Sequence, residues 1–369
     1  ADFASGSLAA TVQAACDIAH YTSRDGCAGL ANADRMATDI PDLDLYHPWS
    51  LDAEGAIELA TACEDAARQV DPRIENSEGA SVSSYTGMRV KGNTHGFLAG
   101  YRSSYHSISC AVIGKQGDEM QRDYWSTSAR DAADLQSPAD TGRIAGERTV
   151  KRLGTQRLST RQAPVLYAAE IASSLFGHFI SAISGSNLYR KSSFLLDHLG
   201  KPVFPGHLRI HEQPLLQKGL GSAPYDGEGV ATTARNLVAD GILQSYVLSS
   251  YSACKLGMET TGNAGGVRNL TIDPGDKDLE ALLKGMDTGL LVTELIGFGV
   301  NNVTGDYSRG AAGFWVEGGE IQYPVDEITV AGNLKDMFMN IVEVGNDVDL
   351  RGNTRTGSVL IEEMTIAGS

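Results

Sequence analysis

Positive charge is scarce in this 369-residue chain, where 30 Lys and Arg stand against 46 Asp and Glu and give a formal net charge of −16. A phosphate backbone or an anionic membrane surface repels such a protein unless a local basic patch overrides the total. The densest group of basic side chains is interrupted by Glu147 and therefore forms no such patch; it comprises Arg143, Arg148, Lys151, Arg152, Arg157 and Arg161. We expect no nucleic-acid partner and no membrane association.

Cysteine is also scarce, with 5 residues scattered along the chain and no CxxC spacing. An odd and sparse set of this kind is typical of reduced thiols rather than of a disulfide framework. The sequence therefore predicts free thiols and a cytoplasmic protein.

Long apolar runs are absent, since no stretch reaches the roughly 18 residues that a membrane-spanning helix needs. No signal peptide is recognisable, although the chain opens on Ala1 rather than Met, so that this absence excludes little. The sequence therefore predicts no membrane-spanning helix.

Two common catalytic signatures are missing, the GxxxxGK[ST] phosphate loop and the GxSxG nucleophile elbow. The segments that start at Gly219 and Gly297 begin like a dinucleotide fingerprint, but each lacks the last glycine. Neither lies between a clear strand and a helix, as phosphate binding at a helix N-terminus requires. We interpret both as turns.

The first part of the chain, residues 1–155, predicts an α+β domain. Helical periodicity marks about 7–21 and 52–70, and a helix after Ser137-Pro138 runs to about Leu153. Between them lie four strand-like runs with short polar connections, which indicate an antiparallel meander; they are Ala80–Val90, Thr94–Tyr101, Tyr105–Ile113 and Glu119–Ala129.

The second part, residues 156–369, predicts a glycine-rich and mostly antiparallel β domain. Pro164–Tyr167 is a short strand, and a helix follows over Glu170–Ile183. The segment Leu334–Val344 predicts a late helix among the remaining strands. Those strands are Ile242–Ser249, Gly289–Leu295, Gly313–Val316, Gln322–Val330 and Val359–Ile366.

Histidines are the metal-ligand candidates that the residues themselves suggest. His207 and His211 have the i, i+4 spacing that could bind zinc on a helix, and Glu212 follows directly. Pro205-Gly206 and Pro214 flank them, however, and favour an extended or looped segment. His178 lies among apolar residues of a predicted helix, where we expect a core histidine with a hydrogen-bond partner.

Several blocks of the sequence are similar to one known family. The longest is Val300-Asn-Asn-Val-Thr-Gly-Asp-Tyr-Ser-Arg-Gly-Ala-Ala-Gly-Phe-Trp-Val316, and together the blocks span nearly the whole chain. The others are Asn76–Ser81, Met120-Gln-Arg-Asp-Tyr-Trp125, Ile183–Ser186, Gly262–Gly266, Ile321–Val325, Ile328–Leu334 and Gly357–Ile361. On these residues the chain resembles the PmbA (TldE) branch of the TldD/PmbA family, and it looks amino-terminally short relative to that family.

The resemblance implies a subunit of a cytoplasmic heteromeric metallopeptidase that trims peptides or unfolded small proteins. In such a complex the TldD-type subunit carries zinc on an HExxxH helix and a distant cysteine, and the PmbA-type subunit is its partner. The family is also called modulator of DNA gyrase.

The metal ligands do not carry over to this chain. The positions that correspond to the two histidines of HExxxH hold Gly177 and Ala182, and His178 stands where the glutamate would be. The loop that would supply the cysteine, residues 349–358, contains none. The resemblance thus implies no metal or catalytic residue in this chain, zinc in a TldD-type partner, and a possible homodimer when the chain is alone.

A glycine-rich segment, Leu290–Val316, predicts a sheet edge that could hold a peptide as an added strand. Within it lies a polar cluster for which we weigh peptide or partner contact against a structural turn with Asp306 paired to Arg309. The cluster comprises Thr304, Asp306, Tyr307, Ser308 and Arg309.

Two other functions remain open at this stage. One is a self-sufficient metallopeptidase with a divergent site at His207 and His211, assisted by Glu212. The other is a protein that binds and modulates DNA gyrase, for which the charge of −16 disfavours direct DNA contact but permits a basic protein partner.

Overall fold

A computed structural model describes residues 3–368 of the chain. Helices and mostly antiparallel sheets alternate in blocks, which confirms the predicted α+β class. None of the described helices is long and apolar enough to cross a membrane.

The N-terminal part contains three helices and one sheet. In chain order its elements are α1 (Ser5–Tyr21), α2 (Ala53–Arg68), β1 (Ile74–Gly92), β2 (Leu98–Gln116), β3 (Glu119–Ala129) and α3 (Pro138–Lys151).

The meander has three long strands rather than the four predicted. Residues 102–104 do not turn, because they continue β2 and pair with Thr86–Met88 of β1. Polar residues are tolerated there because Arg102 is exposed, whereas the buried hydroxyl of Ser104 donates to the carbonyl of Arg130 at 2.6 Å and accepts from the His47 amide at 2.8 Å. The predicted antiparallel order β1-β2-β3 is confirmed.

Helices α2 and α3 cover the buried face of this sheet and pack closely against each other. The side chains that form the core between them are mostly small. A Cβ atom at Gly142 would stand 1.9 Å from the carbonyl oxygen of Cys63, so only glycine permits this approach. The core consists of Cys63, Ala67, Ile74, Ile108, Cys110, Val112 and Ala145.

The C-terminal part begins after residue 160 and contains the remaining elements. In chain order they are β4 (Arg161–Tyr167), α4 (Ala169–Ala182), α5 (Gly185–Tyr189), β5 (Ile210–Glu212), β6 (Arg235–Ala239), β7 (Ile242–Leu243), α6 (Ser250–Leu256), β8 (Leu270–Ile272), α7 (Leu279–Met286), β9 (Gly289–Ile296), β10 (Asp306–Glu317), β11 (Glu320–Asn333), α8 (Leu334–Met339), β12 (Ile341–Val344), β13 (Thr354–Arg355) and β14 (Val359–Ala367).

Its main sheet has the order β11-β10-β9-β4-β14-β12, and an additional pairing joins β11 to β14. Only the β4–β9 pair of this sheet is parallel. The segment predicted as a helix from Leu334 ends at Met339, since β12 follows and pairs with β14. Aromatic residues of α4, Phe176 and Phe179, lie in the large core beneath the sheet.

The predicted free edge at Leu290–Val316 is wrong. Strand β9 pairs with β4 and β10, and β10 pairs with β9 and β11, so both strands lie inside the sheet. The first residues of β10 extend beyond β9, but the preceding loop covers them, with the Ser308 amide donating to the carbonyl of Gly299 at 2.7 Å.

The expectation of free thiols is also wrong for one pair, because Cys27 and Cys254 form a disulfide. These residues are 227 positions apart, so no local spacing in the sequence could reveal them. The bond joins the segment between α1 and α2, which we call the connecting segment (residues 22–52), to α6. Cys16, Cys63 and Cys110 are free.

Candidate functional site

A cleft lies between α3 and β3 on one side and α4, β9 and β10 on the other, and we call it the central cleft. It contains two adjoining cavities of about 290 and 540 Å³. Both cavities are lined by Asp123, Arg148, Glu170 and Thr293. The cleft therefore lies where the N-terminal and C-terminal parts of the chain meet.

Ion pairs join the two walls of the central cleft. Arg148 of α3 contacts Glu170 of α4 at 2.6 Å and Asp123 of β3 at 3.4 Å. Arg152 contacts Glu294 of β9 at 2.5 Å and Asp123 at 3.7 Å. Burial alone would lower the pKa of Arg148, but the two carboxylates outweigh this and raise it, so Arg148 stays charged.

Trp125 of β3 is held between two guanidinium groups. Arg351 lies 3.7 Å and Arg148 5.2 Å from the centre of the indole ring, both within cation–π distance. Arg351 is fixed in turn by Asp349 at 2.7 Å, and the indole N–H donates to Gln136 at 2.9 Å. This stack fixes the loop of Arg351 at the mouth of the cleft.

Polar side chains without partners line one face of α4. Ser174 and His178 are one helical turn apart, and Arg309 of β10 approaches them. Within the described residues, the Ser174 hydroxyl, His178 Nε2 and Arg309 Nε are buried and have no hydrogen-bond partner. His178 is thus not the satisfied core histidine we expected; burial and the charge of Arg309 lower its pKa.

The predicted polar cluster is divided between two faces of β10. Tyr307 is buried, with its hydroxyl 3.5 Å from that of Tyr167, and burial raises the pKa of both phenols. Thr304, Asp306 and Ser308 are exposed on the other side. Asp306 accepts hydrogen bonds from Thr304 at 2.6 Å and Asn333 at 3.2 Å and does not pair with Arg309. Only Arg309 of this cluster reaches the central cleft.

The positions that the family resemblance assigns to zinc do not offer a ligand set. Gly177 is exposed and Ala182 is fully buried in the core, and neither has a side-chain donor atom. The loop 349–358 does approach α4, since the Ser358 hydroxyl accepts from the Ala169 amide at 3.1 Å, but it supplies only Asp349, which Arg351 holds. His178 alone cannot hold zinc, which usually takes at least three protein ligands.

The residues of the alternative zinc site, His207, His211 and Glu212, do not come together either. His207 is exposed on a turn and His211 lies in β5, where its closest acidic neighbour is Asp273 at 3.5 Å. Glu212 is buried and accepts from Arg235 at 2.7 Å and Asn263 at 2.9 Å. Across residues 3–368 no group of three His, Cys, Asp or Glu side chains is arranged to hold a metal ion.

Sequence reasoning missed most of the central cleft. Asp123, Trp125, Glu170 and Arg351 were not singled out as site residues, because they come from separate elements. A signal was nevertheless present, since two of the family-like blocks, 120–125 and 300–316, both contribute side chains to the cleft.

Comparison with known proteins assigns the two parts of the chain to one family. Residues 46–153 match the PmbA/TldA metallopeptidase central domain, and residues 160–368 match the PmbA/TldA metallopeptidase C-terminal domain. Metalloprotease PmbA of Escherichia coli O157:H7 is 54% identical over 367 residues, which cover 100% of this chain and 82% of that protein. The Haemophilus influenzae homologue of PmbA is 52% identical over 369 residues, with the same coverage.

Solved structures share the fold. A crystal structure from Bacteroides thetaiotaomicron, described as a modulator of DNA gyrase, superposes with a TM-score of 0.91 at 31% identity and covers 96% of this chain and 81% of that one. TldE from Thermococcus kodakarensis superposes with a TM-score of 0.81 at 20% identity, over 95% of this chain and 82% of that one, and this likeness shows the fold alone.

Proposed function

Since the chain belongs to the TldD/PmbA metallopeptidase family, we propose that it is the PmbA-type subunit of a two-component peptidase and does not itself carry the zinc. Its partner would be a TldD-type subunit, which supplies the metal. The substrates would be peptides or unfolded small proteins, and the chain alone would form a homodimer.

The observation that carries this proposal is the chemistry of the α4 positions. Gly177 and Ala182 replace the two histidines that the family motif requires, and no cysteine lies in the loop 349–358. A metallopeptidase needs a bound metal to polarise the peptide carbonyl and activate water. Without that ligand set, this chain contributes binding surface rather than the bond-breaking step.

The central cleft supports a role in holding a peptide. It lies beside α4, it combines charged and apolar walls, and its larger cavity of about 540 Å³ accommodates amino-acid side chains. Exposed Asp306 and Ser308 lie on the opposite face of β10 and exposed Thr304 lies in the turn before it, where they could contact the partner subunit. Peptide contact and partner contact would then use different faces of one strand.

We propose the cytoplasm as the compartment, as the family resemblance implies. In that reducing environment Cys27 and Cys254 would face each other as thiols for much of the time. The disulfide would then mark exposure to oxidising conditions rather than a permanent link.

Co-expression tests the proposal. The chain purified alone should contain no stoichiometric zinc and cleave no unfolded peptide, whereas adding a TldD-type subunit should give a stable complex with metal and cleavage activity. Metal analysis by mass spectrometry and a peptide-cleavage assay measure both. One zinc per chain together with cleavage by the chain alone would overturn it, and loss of both in His211→Ala would point to the divergent site instead.

Gyrase binding is a second candidate, because a structural neighbour is described as a modulator of DNA gyrase. The charge of −16 permits contact with a basic protein surface but disfavours direct binding to DNA. Retention of gyrase by the immobilised chain at low salt, without any TldD-type subunit, would support this function. No retention under those conditions would weigh against it.

A further inference from the structure

The smaller cavity of the central cleft is lined by hydrogen-bonding atoms that lack partners. Within residues 3–368, the Ser174 hydroxyl and Arg309 Nε are buried, make no hydrogen bond, and belong to residues that line the same space of about 290 Å³. A buried polar atom without a partner is unfavourable, so two in one cavity indicate a missing ligand. Arg309 Nε can only donate, and the ligand must therefore accept.

The ion pairs around the cavity leave one guanidinium without a contacting carboxylate. Asp123, Glu170 and Glu294 are each held by Arg148 or Arg152, and Arg351 is held by Asp349. In contrast, Arg309 makes neither an ion pair nor a side-chain hydrogen bond within the described part of the chain. The group left without a counterion is therefore a guanidinium.

The same walls limit how much negative charge the ligand can carry. Three carboxylates line this cavity beside Arg309, so a dianion would meet stronger repulsion than a ligand with a single negative charge. A carboxylate carries one charge and matches a guanidinium fork with two parallel hydrogen bonds. These properties favour a carboxylate over a phosphate group.

The larger cavity of the central cleft, which adjoins this smaller polar one, has a mostly apolar wall. Its wall includes Leu291, Phe314, Ile321 and Tyr323, and its volume is about 540 Å³. A ligand that spans both cavities must therefore present a carboxylate next to an apolar group. The C-terminal residue of a peptide has this arrangement.

We propose that the central cleft binds the C-terminal residue of a peptide, with its carboxylate on Arg309 and Ser174 and its side chain in the apolar cavity. The proposal rests on the proposed function in one respect, namely that peptides are the molecules this chain meets.

Peptide binding to the purified chain tests the carboxylate. Fluorescein-labelled pentapeptides that end in Leu are compared as free acid and as C-terminal amide by fluorescence anisotropy. Because amidation removes the charge that Arg309 would meet, we expect the amide to bind about tenfold more weakly. Equal binding of acid and amide would overturn the proposal.

Two arginine variants locate the effect. In Arg309→Gln the preference for the acid should fall to less than about threefold, because the charge-assisted hydrogen bonds are lost. Arg209→Gln is the matched control, since Arg209 pairs with Asp240 on the surface and takes no part in the cleft. Its preference should stay at the wild-type value. A thermal melt of each variant shows whether it is folded, and a folded Arg309→Gln with full preference contradicts the assignment.

Competition distinguishes a peptide terminus from other carboxylates. Acetate should displace the labelled peptide only at far higher concentration than an unlabelled Leu-ending peptide, because acetate leaves the apolar cavity empty. A peptide that ends in Ser should bind more weakly than one that ends in Leu. If acetate or inorganic phosphate competes as well as the peptide, the cavity is a general anion site and the proposal fails.

The outcome is separable from that of the proposed function. These measurements use the chain alone and require no cleavage, so the carboxylate site can be established even if a TldD-type partner gives no activity. Conversely, a cleaving complex whose free chain ignores the peptide C-terminus would remove this inference and leave the proposed function intact.

Discussion

At the scale of single residues, the buried carboxylate of Glu212 is retained with a complete set of hydrogen-bond partners. Glu212 is 1% exposed and receives hydrogen bonds from Arg235, from Asn263 and from the amide of Arg268 at 2.6 Å. His178 shows the opposite case, since its Nε2 is buried without a partner and the ring faces Arg309. Glu212 therefore has a structural role, and His178 lies beside the proposed binding cavity.

Replacing Arg235 should be strongly destabilising, because Arg235→Met leaves the carboxylate of Glu212 buried without its counterion. Breaking one side of a buried pair costs about 3–5 kcal/mol in free energy of unfolding, measured by urea titration. The control Arg209→Met breaks an exposed pair with Asp240 and should cost less than about 1 kcal/mol. Similar losses for both variants would contradict this account of Glu212.

His178 should make stability depend on pH. Its pKa in the folded protein is below the ordinary value near 6.5, so the unfolded chain takes up the proton first as the pH falls. The contribution of neutral His178 to the free energy of unfolding is therefore fully present above about pH 6.5. It is lost as the pH falls toward the pKa of His178 in the folded protein.

A variant series measures this dependence. Between pH 7.5 and 5.5 the melting temperature of the wild type should fall further than that of His178→Gln. His207→Gln, which changes an exposed histidine on a turn, should follow the wild type. Parallel curves for His178→Gln and the wild type would show that His178 titrates normally.

At the scale of elements, small side chains decide how closely helices approach. Gly142 and Gly146 of α3 lie against the backbone of α2, where a Cβ would come within 1.9 Å of Cys63 O and 2.6 Å of Ala67 O. Gly177 of α4 is different, because nothing lies within 4 Å of its Cβ position. The glycines of α3 therefore allow close packing against α2, whereas Gly177 of α4 has no neighbour that requires a glycine.

Two glycine-to-alanine changes separate these cases. Gly142→Ala should destabilise the protein by more than about 2 kcal/mol, because α2 and α3 must move apart. Gly177→Ala should stabilise it by up to about 1 kcal/mol, since alanine is the better helix former and meets no obstacle. Chemical denaturation measures both, and a neutral Gly142→Ala would show that the helices separate at little cost.

At the scale of the whole molecule, the connecting segment joins parts that are distant in sequence. Met36 and Ala37 pack with Tyr225 and Val230 of the C-terminal part and with Phe97 of the hairpin. Asp25 accepts from Tyr251 at 2.7 Å and from Lys255 at 2.9 Å, and these hydrogen bonds lower its pKa to about 2. The disulfide between Cys27 and Cys254 lies in the same region.

Thiol titration tests this link. Protein that is air-oxidised and then denatured without reductant should show three thiols, those of Cys16, Cys63 and Cys110. Cys254→Ser should show four, because it frees Cys27, and Cys16→Ser should show two. Loss of the bond should also lower the free energy of unfolding by about 2–4 kcal/mol. Five thiols in the oxidised wild type would exclude the disulfide.

Much of the fold could be predicted because local patterns decide it. The helix predicted at about 7–21 and the Ser137-Pro138 start of α3 are both found in the structure, where the first helix begins at Ser5. The turn at 102–104 was wrongly predicted, because its polar residues resemble a loop unless one knows that distant His47 and Arg130 supply hydrogen-bond partners to Ser104. The prediction of a free sheet edge at 290–316 was wrong for a related reason, because the pairing of β9 with β4 and of β10 with β11 depends on other strands of the sheet.

The candidate site could be predicted only in part. The family-like blocks included Arg309, and the expectation that Gly177 and Ala182 replace metal ligands came from the family resemblance. The sequence could not show that Tyr307 is buried, that Asp306 pairs with Asn333, or that Arg148 reaches Glu170 across the cleft. Each of these facts depends on which face of an element a neighbour covers.

By itself, the sequence determined the α+β class, the family resemblance and the absence of a metal-binding side chain at Gly177 and at Ala182. Residue type and local spacing decide such properties. Tertiary structure alone decided the Cys27–Cys254 bond, the closed pairing of β11 with β14, and the central cleft with its unpartnered Arg309. The physical reason is distance along the chain. Donors, acceptors and thiols that lie far apart in sequence become partners only when packing brings their elements together. The same packing decides which of these groups remain without a partner.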